Sequence, residues 1–162
     1  MKRLLACLAV SISPLAAEAS TDLAREWGAE ANRLSAETAQ LIHAVDLGQR
    51  ADISDRYALD LYRFGRTSQD LAIWIDDSNG PKDLGCIFRG MAAESEDQLE
   101  QLELSDAPTA RRESLRRLAS MFADAEMIAV AAQRRAPTPG LAATGTKASC
   151  AADAAAVLEQ LK

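Results

Sequence analysis

The chain has 162 residues, with 18 lysines and arginines against 24 aspartates and glutamates. That acidic balance argues against nucleic acid as a partner and against anionic membrane surfaces. Aromatic residues are only 4% of the sequence, and alanine-rich composition with few β-branched runs favours helix over sheet.

The N-terminus reads as a targeting segment. Lys2 and Arg3 are a short basic region, Leu4 to Ala17 is apolar, and Ala17-Glu18-Ala19 places small residues at the −3 and −1 positions. This is the layout of a secretory signal peptide over 1–19. The apolar run is shorter than the about 20 residues of a membrane-spanning helix. Leu4-Leu5-Ala6-Cys7 resembles a lipoprotein cleavage box, but too few apolar residues precede it. Cleavage after Ala19 leaves Ser20 as the new N-terminus, in a secreted or periplasmic product. Residues 20–162 then hold 16 bases and 23 acids, a net charge of −7. Their length suits a single domain.

Apolar residues recur at three- and four-residue steps along most of the chain. Leu23, Trp27, Ala31, Leu34, Thr38, Leu41, Ile42 and Val45 form one stripe of a helix over about 21–47. Ser20, Thr21 or Asp22 is its expected cap and Gly48 its stop. A second helix, about 53–78, follows Asp52 or Ser54 as cap and carries Ile53, Tyr57, Leu61, Phe64, Ser68, Leu71 and Ile75. Asn79-Gly80-Pro81 ends it. Asp76 to Gly80 resembles a calcium loop in composition, but its ligands do not alternate and no closing glutamate follows. The third helix, about 83–104, is marked by Leu84, Ile87, Phe88, Met91, Ser95, Leu99 and Leu102. The fourth, about 108–135, carries Leu115, Leu118, Phe122, Ala125, Ala129 and Ala132. Residues 136–149 read as a flexible connection. A short fifth helix over about 149–161 presents Val157, Leu158 and Leu161.

The predicted fold is therefore all-α. Four helices with short turns pack most simply as an antiparallel up-down bundle. Removal of Cys7 with the leader would leave Cys86 and Cys150, the arithmetic of one disulfide in an oxidising compartment. That bond would tie the fifth helix to the start of the third. It closes a loop of about 65 residues, worth on the order of 4 kcal/mol in the chain-entropy model.

No catalytic, metal or cofactor constellation stands out. His43 is the only histidine and projects away from the Trp27 stripe, towards solvent. There is no nucleophile elbow, phosphate loop or haem-attachment motif, and whether the chain is an enzyme stays open at this point. The surface pattern says more. Leu59, Tyr62 and Ile73 project opposite the main stripe of the second helix, so a fifth helix or a partner should cover them. Glu94, Glu96, Asp97, Glu100, Glu103 and Asp106 form an acidic strip with no intervening base, and Arg111, Arg112, Arg116 and Arg117 follow. A hairpin near Ala107 would pair Glu103 with Arg111 or Arg112, and Glu100 with Arg116. That would be an ion-pair ladder of weak exposed pairs. Otherwise the strip is free for a basic partner.

The expected function is an exported, non-catalytic bundle that binds another macromolecule, as an adaptor, inhibitor or chaperone does. Leu59, Tyr62, Ile73, Glu94, Glu96, Asp97 and Glu100 are its candidate interface. The alternative is a carrier whose core pocket is lined by Trp27, Tyr57, Phe64, Trp74 and Phe88.

Overall fold

The computed structural model describes residues 15–134. They form four helices: α1 Leu15–Asp46, α2 Asp55–Asp77, α3 Lys82–Leu104 and α4 Pro108–Arg134. The helix ends follow local chemistry. The Ser54 Oγ accepts the Tyr57 N–H at 3.1 Å and caps α2. Asn79 takes the left-handed conformation at φ 53° beyond α2, and the Gly80 N–H returns to the Ile75 carbonyl at 2.8 Å. Gly48, at φ 73°, ends α1 in the same way. Pro108 occupies the first position of α4, where its missing N–H costs nothing.

One boundary differs from the sequence reading. Helix α1 begins at Leu15, so Ser20, Thr21 and Asp22 lie within it and do not cap it. Ala16, Ala17, Glu18 and Ala19 are strong helix formers and extend the helix towards Pro14. The expected fifth helix lies outside the described residues, as do Cys7 and Cys150.

Each helix packs on the next, and α4 returns to α1. Cross-helix contacts fix every pair as antiparallel. Thr38 meets Tyr57 and Trp27 meets Ser68 between α1 and α2. Asp76 meets Arg89 between α2 and α3, and Glu94 meets Arg117 between α3 and α4. Asp46 meets Arg112 between α1 and α4. This is an up-down-up-down bundle. Its centre is an aromatic layer with one ring from each helix. Trp27 stacks on Phe64 at 4.9 Å between centroids, and Phe88 meets Trp27 edge-on at 5.1 Å. Phe122 meets Phe64 edge-on at 5.2 Å. Two of these contacts cross the bundle diagonals and knit helices whose backbones are not neighbours. Such pairs add about 0.5–1.5 kcal/mol each beyond area burial.

Candidate functional site

The five side chains named for a core pocket are mostly core packing. Trp27, Tyr57, Phe64 and Phe88 are buried, and Trp74 is half-buried at the edge. Three of the four buried ones touch one another as rings. The Trp27 Nε1–H donates to Ser68 Oγ at 2.8 Å, and Ser68 Oγ–H donates to the Phe64 carbonyl at 2.8 Å. The Tyr57 hydroxyl shares a 2.7 Å hydrogen bond with Thr38 Oγ1, which also donates to the Leu34 carbonyl. Burial pushes the Tyr57 phenol up to about 12, against a smaller opposing effect of that hydrogen bond. These polar atoms satisfy each other, as buried groups must.

A further buried polar group escaped the sequence reading. Asp60 is buried on the α1 side of α2 and takes the Arg33 guanidinium at 2.8 Å. Arg56 and Arg63 lie 3.6 Å from the same carboxylate. Arg33 also pairs with Glu30, and both acids hold it firmly in the cationic form. An aspartate one helical turn from Tyr57 and Phe64, with arginines at three- and four-residue steps, was the signal available. The network joins α1 to α2.

The outward face of α2 is different. Leu59, Tyr62 and Ile73 are 46%, 57% and 49% exposed. At about 100° per residue they share one side of the helix, with Arg66 between Tyr62 and Ile73. A second exposed apolar pair, Met127 and Val130, lies on the outer face of α4. Sequence reading passed over it because alanines dilute the apolar contrast there.

The acidic strip divides. Glu94 turns towards α4 and receives Arg117 through two hydrogen bonds, at 2.7 and 2.9 Å. It is thereby removed from the candidate interface. The remaining ladder does not form. Arg111 instead reaches across the bundle end to the Ala51 carbonyl at 2.6 Å, the Ser105 carbonyl at 3.2 Å and Asp106 at 2.7 Å. Arg112 reaches Asp46 at 2.8 Å. A guanidinium that ties loop carbonyls gains several oriented bonds, whereas an exposed pair with Glu103 gains little. Glu96, Asp97, Glu100 and Glu103 consequently remain exposed on the outer face of α3 without a salt bridge among the described residues.

His43 is exposed near the end of α1. Cys86 is half-buried on the first turns of α3, with the Arg89 guanidinium 3.5 Å from its sulfur. Among the described residues no helix is long and apolar enough to cross a membrane. Searches of family models, curated proteins and solved structures find no match to this chain.

Proposed function

We propose that the protein is an exported, non-catalytic helical bundle that acts by binding another macromolecule through the outer face of α2. One observation carries this reading: Leu59, Tyr62 and Ile73 stand exposed together on a helix whose opposite side already fills the core. Exposed apolar rows on small domains mark contact surfaces. Glu96, Asp97 and Glu100 supply the charged part of the same interface.

Export rests on the basic, apolar and small-residue layout of positions 1–19. A Cys86–Cys150 disulfide rests on the two cysteines that remain after cleavage.

Native mass spectrometry of protein purified from its own host tests the reading. Wild-type protein should retain a macromolecular partner, and Tyr62→Ala should lose it with an unchanged melting temperature. A partner retained by Tyr62→Ala removes α2 from the interface. A small molecule held by both proteins would favour the carrier reading instead.

A further inference from the structure

Resting on that reading, we infer that the partner presents a cationic amphipathic helix, seated along the outer seam between α2 and α3.

The seam can be built from the close approaches of the two helices. A methyl added at Gly65 on α2 would meet the Ser95 Cβ of α3 at 3.1 Å, and one added at Gly85 on α3 would meet the Ile75 Cγ2 of α2 at 3.4 Å. These pairs set the antiparallel register, and Arg89 reaches back one turn to Asp76 at 2.7 Å on the solvent side of the helix pair. In that register Glu96 and Glu100 lie level with the stretch of α2 from Leu59 to Gly65 that carries Tyr62, and Ile73 lies level with the turn of α3 that holds Arg89.

The two walls of the seam differ in chemistry. On α2 stand Leu59, Tyr62 and Ile73, interrupted by Gln69 and Arg66. On α3 stand Glu96 and Glu103 at the border, with Glu100 and Asp97 one step outward. Four carboxylates, none neutralised by a salt bridge among the described residues, thus share the seam with Arg66, while Arg89 is paired with Asp76. The apolar row from Leu59 to Ile73 runs about 21 Å along the helix axis, or four turns. A docked helix of that length would lay its apolar stripe on Tyr62 and its neighbours. Its lysines or arginines would reach the α3 carboxylates. An acidic helix would meet like charge along the α3 wall from Glu96 to Glu103, so charge selects between the two.

The test uses 15N-labelled full-length protein and two synthetic helices of about 14 residues. Both carry leucines at alternating three- and four-residue steps. One has lysine on its polar face and the other glutamate. Titrations followed by amide chemical shifts should show the lysine peptide binding at least about tenfold tighter, as several weak exposed pairs together would give. Shift changes should gather on Tyr62, Gln69, Ile73, Glu96, Glu100 and Glu103, and added salt should weaken binding. A Glu96→Gln/Glu100→Gln/Glu103→Gln variant should lose most of the preference, and Arg66→Gln should increase it. Equal affinity for the two peptides, binding of neither, or shift changes on another face overturns the inference. So does a concentration-dependent dimer formed on this surface. Contact of Tyr62 with Val157, Leu158 or Leu161 would also overturn it, by seating the chain's own C-terminal segment on the seam. If the peptides fail while Tyr62→Ala still loses the native partner, the binding surface stands and only the partner's cationic character falls.

Discussion

Gly28 offers the sharpest test of the packing between α1 and α4. It is buried, and a methyl group added there would lie 2.6 Å from the Ala129 Cβ, where ordinary contact begins at 3.4 Å. Both atoms are fixed to helical backbone, so no rotamer change relieves the overlap. Gly28→Ala therefore forces the two helices apart. Overpacking of a closed core costs about 1–3 kcal/mol, and a rigid overlap belongs at the upper end. Alanine returns up to about 1 kcal/mol of helix propensity. The expected net loss is about 2 kcal/mol, or about 8 °C in melting temperature for a domain of this size. Gly90 is the internal control. It is exposed on α3 with nothing within 4 Å of an added methyl, so Gly90→Ala should stabilise by about 0.5–1 kcal/mol. Ala129→Gly should cost about 1 kcal/mol alone, yet the Gly28→Ala/Ala129→Gly pair should return close to wild type because one methyl replaces the other. Urea unfolding of wild-type protein and the four variants measures all these terms. A stabilised Gly28→Ala, or a double variant whose effects simply add, would refute the close approach of α1 and α4.

Further outcomes follow from the core and the termini. Burial holds the Tyr57 phenol neutral up to about pH 12 in the folded protein, while the unfolded chain ionises near pH 10, so the contribution of Tyr57 to stability should be fully present below pH 10 and fall by about 3 kcal/mol between pH 10 and 12. Alkaline absorbance titration of Tyr62→Phe, which leaves Tyr57 as the only tyrosine, should show that late ionisation, and an ordinary phenol titration would contradict it. Ser68→Ala removes the acceptor of the buried Trp27 N–H and should cost about 1–3 kcal/mol in denaturant unfolding; a neutral effect would mean Trp27 finds another partner. Mass mapping of exported protein without reductant should recover Ser20 as the N-terminus and a peptide joining Cys86 to Cys150. An intact Met1 would remove the argument for export, and free thiols at both positions the argument for the staple.

Much of this architecture was legible in the sequence because the helices announce themselves at both ends. Ser54, Gly48, Asn79 and Pro108 each carry a conformational preference that acts locally, so α2 to α4 fall within a few residues of their expected bounds. The main stripes likewise placed Trp27, Phe64, Phe88 and Phe122 inside. What the sequence did not reveal depended on competition between distant groups. Arg111 and Arg112 stand opposite the acids of α3 in a hairpin drawing, but the loop carbonyl of Ala51 and the carboxylate of Asp46 come from elsewhere in the chain. Asp60 reads as a surface acid until α1 brings Arg33 to it. The start of α1 was misplaced because capping residues at Ser20 to Asp22 looked stronger than the helix formers before them. For the candidate interface, helical rotation alone placed Leu59, Tyr62 and Ile73 outside. The loss of Glu94 to Arg117 needed the neighbouring helix.

The most direct measurement on the central claim is partner retention by Tyr62→Ala, read beside its unfolding midpoint. Tyr62 is 57% exposed, so its truncation should change stability by no more than about 0.5 kcal/mol. The binding account predicts that native mass spectrometry finds the host partner on wild-type protein and not on this equally stable variant. A loss of about 3 kcal/mol or more would show instead that Tyr62 is packed as core, and a variant that keeps both its stability and its partner would contradict the α2 interface.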